Sequence, residues 1–285
     1  MFAAAALVAC AAAAPKPPPS PPKSPYLDKL TSDARAMDTV VASSFAHRFL
    51  SEAARLPTKG ATADEDYYEA DITAPLHFVF PIEVLAAHRF EWRPGTRVLD
   101  FGYGSIGHLA MLAGAGVDAS GIEVRSKLDA LYAGQHDPHV HLFTGRYPAE
   151  PEVVAKVGGG YDLIVSKNVL KKGYIHPDRP ADESHLIHLG VDDAAFLRAF
   201  HDALAPGGRF LIYNIFVPIP ADRPFKPMSD GRSPFTREQY EAAGFQVEAF
   251  DESDTPRMRR AIATTKAPTE KDYLTYESLF TLVRR

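Results

Sequence analysis

The sequence is nearly devoid of cysteine: Cys10 is the single one in 285 residues. One thiol excludes a disulfide framework within the chain and any structural zinc site of the multi-cysteine kind. Positive charge is not in surplus either. Thirty-one Lys and Arg against 36 Asp and Glu leave a net charge of −5. That provides no electrostatic footprint for nucleic acid, so a small or neutral partner fits better. No apolar run is long enough to span a bilayer as a helix, which takes roughly 20 residues. There is no internal repeat. What remains, 285 residues with 46% hydrophobic content, suits one sizeable globular domain or one domain with an accessory segment.

The N-terminal residues stand apart. Residues 1–14 are almost entirely apolar and have the length of a signal-peptide core. Within them Leu7-Val8-Ala9-Cys10 resembles the lipobox of bacterial lipoproteins, a family in which the cysteine is lipidated. No Lys or Arg precedes the apolar core, as an export signal would want. Residues 15–25 hold seven prolines, favour extended polyproline II and read as a tether. The expected location is therefore exported or membrane-anchored through lipidated Cys10, with the cytoplasm as the alternative.

Beyond the tether, residues 26–95 read as a helical cap. Leu30, Met37, Val41, Phe45 and Phe49 recur at helical spacing. An acidic stretch, 64–71, carries Tyr67 and Tyr68, and a second helical pattern covers 81–89. From residue 96 to 285 strands alternate with helices. Strands are expected at 97–100, 117–124, 139–144, 161–166, 209–216, 245–250 and 278–283. Helices are expected at 106–115, at 236–243, and after a cap at Asp192 or Asp193 with Phe196, Leu197, Phe200 and Leu204 on its apolar face. Such alternation means a largely parallel sheet covered on both faces, with ligands at the carboxyl ends of the strands.

The glycine-rich turn Asp100-Phe101-Gly102-Tyr103-Gly104-Ser105-Ile106-Gly107 reads in two ways. Gly102, Gly104 and Gly107 fit the dinucleotide fingerprint G-x-G-x-x-G, and Glu123 follows at about 20 residues. The same residues fit the acidic-x-Gly-x-Gly pattern of S-adenosylmethionine sites. Asp100 separates the two. A carboxylate aimed at a pyrophosphate would repel it by roughly 1 kcal/mol or more, whereas it attracts an ammonium. Glu123, ending the second strand, has the acceptors to take both hydroxyls of a ribose.

Four motifs in order resemble class I S-adenosylmethionine-dependent methyltransferases. Val98-Leu99-Asp100-Phe101-Gly102-Tyr103-Gly104 is similar to their first motif, and 161–170 to their fourth-strand motif. Leu204-Ala205-Pro206-Gly207-Gly208-Arg209-Phe210 resembles the approach to strand five, and Ala243-Gly244-Phe245 the approach to strand six. The resemblance spans roughly 83–285. It implies an α/β fold: a three-layer, Rossmann-like, seven-stranded, mostly parallel sheet with an antiparallel last strand, preceded by N-terminal helices. It also implies S-adenosyl-L-methionine as cofactor and methyl transfer as activity. On that resemblance Asp100, Gly102, Tyr103 and Gly104 line the methionine end, Glu123 takes the ribose, and Ser166 and Asn168 face the cofactor and acceptor. Two positions depart from the pattern. Ile106 stands where many members have a third glycine. Thr144-Gly145-Arg146-Tyr147 lacks the acid that often meets the adenine amino group, which leaves Arg146 or backbone groups to serve.

The acceptor is expected to be a small molecule on loops beyond strands four and five. The loop after strand four offers His176 as a general base, since histidine titrates near working pH. His176, His185 and His188 also form a thinkable metal set, against the plainer reading of surface histidines, and no metal is expected. The Asn-Pro-Pro-Tyr signature of methylases acting on adenine or glutamine is absent. Two rival functions stand beside the methyltransferase. One is an NAD-dependent oxidoreductase. The other is an exported, non-catalytic binding protein with the same fold, motivated by the conflict between an exported N-terminus and a cytoplasmic cofactor.

Overall fold

The structure, a computed structural model, describes residues 24–71, 74–267 and 269–285. The lipobox tetrad with Cys10, and most of the proline tether, lie outside the described residues. Among the described residues no helix is long and apolar enough to cross a membrane.

Four helices come first: α1 (Pro25–Asp38), α2 (Ser44–Ser51), α3 (Ala61–Tyr68) and α4 (Val79–Ala87). The expected amphipathic stretch is thus a pair of helices. Ser24 caps α1 and Ser43 caps α2 by accepting backbone N–H groups. The Glu83 carboxylate of α4 accepts from Ala42 N at 3.0 Å and Ser43 N at 2.9 Å, which locks the α1–α2 corner onto α4. Pro81 sits in the first turn of α4, where its missing N–H costs nothing.

The alternating part then runs β1 (Arg97–Phe101), α5 (Gly107–Gly114), β2 (Asp118–Glu123), α6 (Lys127–Tyr132), β3 (Val140–Thr144), α7 (Pro151–Val157) and β4 (Tyr161–Lys167). It continues with α8 (Lys172–Ile175), α9 (Asp193–Ala203), β5 (Leu204–Phe216), α10 (Arg237–Ala242), β6 (Gln246–Ser253), α11 (Thr255–Ala263) and β7 (Glu277–Arg284). All seven expected strands are present. Strand β5 starts earlier than expected: Pro206-Gly207-Gly208 lies within it, and the β4–β5 register shifts between Tyr161 and Leu163 instead of the strand starting afresh. Asp192, not Asp193, caps α9, and Thr236 with Gln239 forms a capping box on α10.

The sheet order is β3-β2-β1-β4-β5-β7-β6. Strands β1 to β5 pair in parallel, and β7 runs antiparallel to both β5 and β6. This is the three-layer, seven-stranded arrangement with an antiparallel last strand. Its chain reverses direction across the sheet between β1 and β4, the switch point where open α/β sheets leave a crevice.

Two cores follow from the pleat. Val98, Leu163, Val165, Leu211 and Leu282 join the core formed with α1, α2, α4, α5 and α11. Their neighbours Leu99, Ile164, Phe210, Ile212 and Val283 join the other, with Phe196, Leu197 and Phe200 of α9. Successive side chains point to opposite faces, and both faces are apolar because both are covered. The N-terminal helices are therefore part of one layer of the sandwich.

His77, just before α4, is the buried polar group this layer tolerates least. Its ring stacks on Phe80 at 5.3 Å and its Nε2 has no partner. Burial, with the Lys167 charge adding, pushes its pKa down to about 3. The unfolded chain therefore binds a proton near pH 6.5 that the folded chain refuses until about pH 3, so stability falls as pH drops through that window. His77→Phe should remove that slope. Its urea midpoint at pH 4.5 should exceed wild type by an amount worth on the order of 1–2 kcal/mol. Equal pH slopes for the two proteins would contradict this.

Candidate functional site

The turn after β1 is built by two glycines in left-handed conformation, Gly102 (φ 80°) and Gly104 (φ 64°). Gly102 also has no room for a side chain, because a Cβ there would lie 2.5 Å from Val169 Cγ2. Asn168, itself at φ 67°, bends the chain after β4 and sets Val169 onto Gly102. The Asn168 Oδ1 accepts from Ile215 N at 2.7 Å, which ties this side chain to β5. Ser166 is fully buried and its Oγ accepts from Leu170 N at 3.3 Å. Ser166 and Asn168 thus shape the loop, and neither lines the crevice beyond the strand ends.

Asp100 points to the face opposite Phe101. Its Oδ2 accepts a hydrogen bond of 2.6 Å from His108 Nε2, and its Oδ1 is buried without a partner. A carboxylate only accepts, so His108 must be the donor. Phe101 packs instead against Phe196 and Phe200 of α9. The Tyr103 side chain turns away from the crevice. It lies under β2, close enough that a Cβ on Gly121 would meet it at 2.6 Å, and burial raises its pKa above the ordinary tyrosine range. Only the backbone of Tyr103 is left for a ligand.

Glu123 ends β2 as expected, but its carboxylate is already in use. Oε1 accepts from Val124 N at 2.9 Å and Arg125 N at 3.3 Å. Oε2 accepts from Gly104 N at 3.3 Å and Arg125 Nη2 at 3.1 Å. Four contacts match the lone-pair capacity of a carboxylate. A diol can reach Glu123 only by displacing the half-exposed Arg125 guanidinium, which the same contact raises in pKa.

A crevice of about 600 Å³ lies beyond the carboxyl ends of β1 to β4, and of the expected site residues Gly102, Glu123 and Arg146 line it. Gly102, Glu123, Arg125, Arg146 and Val169 line it, and the segment 186–190 closes one side. Val124, 62% exposed, presents an apolar face there. Sequence reasoning missed Arg125, Val169 and the segment 186–190. The exposed valine directly after the β2 acid was the available signal.

His176 is elsewhere. Its Nε2 pairs with Asp193 Oδ1 at 2.9 Å at the start of α9, and Asp193 also accepts from Gln239 Nε2. It lines a larger cavity of about 720 Å³ with Lys172, Asp178 and Arg232. That cavity shares no lining residue with the crevice, but His176 also lines a smaller pocket with 187–190, the segment that closes the crevice. Its charges are already matched: Asp178 pairs with Lys172 and with Arg232, both at 2.8 Å, which holds its carboxyl below the usual range. His188 pairs with Glu183 at 2.8 Å. Among the described residues no three His, Cys, Asp or Glu side chains gather to hold a metal ion. Tyr67 and Tyr68 pack edge to face at 5.1 Å and line a third cavity beside α5, with the Tyr68 hydroxyl donating to Pro57 O.

No family model and no curated protein matches this chain. Several solved structures resemble it. An S-adenosylmethionine dependent methyltransferase from Mesorhizobium loti is 19% identical over 70% of this chain and 96% of its own, with a TM-score of 0.43. The [4+2]-cyclase SpnF is 16% identical over 73% and 80%, with a TM-score of 0.42. Phosphoethanolamine N-methyltransferase 2 of Haemonchus contortus, in complex with phosphomonomethylethanolamine and S-adenosylhomocysteine, is 14% identical over 86% of this chain and 61% of its own, with a TM-score of 0.47. The architecture of this chain is defined by its own strand order and directions.

Gly102→Ala should cost about 1–2 kcal/mol for the left-handed residue and push Val169 off the turn. The check is a urea titration beside a crystal structure of the variant. Unchanged stability with Val169 in place would contradict the packing described.

Proposed function

We propose that the chain is an S-adenosylmethionine-dependent methyltransferase acting on a small-molecule acceptor. The observation that carries this reading is a carboxylate at the end of each of two neighbouring strands beside one glycine turn, Asp100 on β1 and Glu123 on β2, with Glu123 lining the crevice. Buried Asp100 keeps a free oxygen beneath the glycine turn, and Glu123 stands at the end of the neighbouring strand. A crevice of about 600 Å³ suits a small ligand.

The residues fit the cofactor in three respects. Asp100 Oδ1 is an orphaned buried acceptor that an ammonium would satisfy, and it would repel a pyrophosphate. That disfavours the oxidoreductase alternative. Glu123 takes the ribose hydroxyls once Arg125 moves aside. Val124 supplies an apolar face for the adenine, and Arg146 stands where the family has an acid. When bound, the cofactor supplies an electrophilic methyl group on a sulfonium. The chain's own part is to hold that methyl in line with the acceptor, to exclude water and to fix the charges. His176, paired with Asp193, lies outside the crevice lining but shares a pocket with the segment 187–190 that closes it, and remains the candidate general base.

Calorimetric titration with S-adenosylmethionine, S-adenosylhomocysteine and NAD tests the proposal. The two sulfur ligands should bind and NAD should not, and Asp100→Ala should weaken the sulfur ligands at least tenfold. No binding of either sulfur ligand at millimolar concentration would overturn the reading and leave the non-catalytic alternative.

We further propose that the protein is exported and anchored through Cys10, on the resemblance of Leu7-Val8-Ala9-Cys10 to a lipobox. Membrane fractionation should find wild type in the pellet and Cys10→Ala in the supernatant. Both proteins in the cytoplasmic fraction would refute the anchor.

A further inference from the structure

From the end of α8 to the start of α9, no residue between 174 and 195 is buried. The flanks differ: Lys171 and Gly173 are buried before the stretch, and Phe196 and Leu197 after it. Between 177 and 191 the one regular piece is the 3-10 turn Glu183–His185. Among the described residues, one backbone hydrogen bond ties 177–191 to the rest of the chain, from Ile187 N to Tyr174 O at 2.8 Å. The His188–Glu183 pair is internal to the stretch and largely exposed. Leu189 and Val191 lean on the second core without being buried in it. A segment with so few buried contacts opens at low free-energy cost.

Within this stretch, 186–190 forms a partition one chain thick. It lines the crevice of about 600 Å³ on one side. Residues 187–190 also line a pocket of about 460 Å³ with Ile175 and His176. The wall therefore has open space on both sides and little packing to hold it. The other walls of the crevice are fixed. Phe101 and Ile122 belong to paired central strands, and Val169 is wedged against Gly102. Moving them means breaking the sheet or the glycine turn. Gly190 offers the partition a pivot. It sits at φ 77°, and a Cβ there would lie 2.7 Å from the Ala149 Cβ, so only glycine passes this point. Hinges are a few loop positions of this kind that absorb a change of backbone angle.

We propose that 186–190 is a gate over the crevice. It swings about Gly190 once Ile187 N leaves Tyr174 O, admits the ligand and closes on it. While open, it joins the crevice to the His176 pocket. The identity of the ligand rests on the cofactor reading above. The gate itself rests on the two cavities and the unburied stretch that separates them.

The test measures rates on the whole chain, because a gate slows entry and exit together, whereas a lost contact mainly speeds exit. Tyr174→Cys with Ile187→Cys, in a Cys10→Ser background, places two thiols on residues whose backbones are already hydrogen-bonded, near enough for a disulfide. Oxidised without ligand, this variant should bind S-adenosylhomocysteine at least tenfold more slowly than when reduced. Oxidised with the ligand already bound, it should release it at least tenfold more slowly. Equal rates in the two redox states, or faster release when oxidised, would overturn the gate. Hydrogen exchange on wild type is a second check that needs no variant to fold. In the free chain the Ile187 N–H should exchange at least a hundredfold faster than the amides of β4, and bound S-adenosylhomocysteine should slow it at least tenfold. Exchange as slow as that of β4 in the free chain, or no slowing by bound ligand, would overturn the gate. Wild type and reduced variant that both fail to bind S-adenosylhomocysteine sink the cofactor reading, and exchange in the free chain still decides the gate.

Discussion

A carboxylate buried at the end of a central strand has to be compensated, and the way Asp100 is compensated organises everything around it. An unpaired buried charge costs several kcal/mol or more. His108 meets one oxygen at 2.6 Å. To do so it must sit in the first turn of α5, and its ring stacks on Phe78 at 4.9 Å. Strand β1, the glycine turn, α5 and the N-terminal helices are thereby joined through two side-chain contacts. The position of the third glycine follows. A Cβ at residue 107 would lie 2.9 Å from Pro75 Cγ and 3.1 Å from the Tyr68 carbonyl oxygen. Gly107 is needed for the close approach of α5 to the preceding segment, and not for a ligand.

Asp100 and Glu123 mark the two ends of the proposed ligand site, and of the two Glu123 lines the crevice. The two ends differ in kind. The Asp100 end is under-satisfied and gains from any ligand that brings an ammonium. The Glu123 end is saturated by Arg125, Gly104 and its own backbone. Binding there is an exchange of one set of hydrogen bonds for another, with small net gain. Affinity on this account comes mainly from the methionine end and from apolar contact at Val124, and Arg125 has to be displaced for the ribose to seat.

Much of the fold was legible. The strands announced themselves as short apolar runs between turns, and Asp192 and Thr236 marked two of the helix starts. Short or weakly apolar helices did not: α6, α7 and α8 have seven residues or fewer, and α11 buries only Met258, Ala261 and Ile262. In the site, Asp100, Gly102, Gly104 and Glu123 were legible because backbone geometry ties them to the turn. The orientations of Ser166 and Asn168 were not. Both sheet faces are apolar, so the pattern of β4 gives no parity, and only the structure shows that Ser166 is sealed against Leu170. His176 was chosen for its chemistry in a long loop, and the fold pairs it with Asp193 outside the crevice lining, next to the segment 187–190.

On the proposed function, the crevice at the β1–β4 switch point seats an adenosyl ligand whose ribose meets Glu123. A crystal structure of the chain with S-adenosylhomocysteine measures this directly. The account predicts the ligand in the 600 Å³ crevice, its ammonium on Asp100 Oδ1, its ribose on Glu123 and the Arg125 guanidinium swung away. A ligand seated in another cavity, or in this one with the Glu123–Arg125 contact intact, would contradict it.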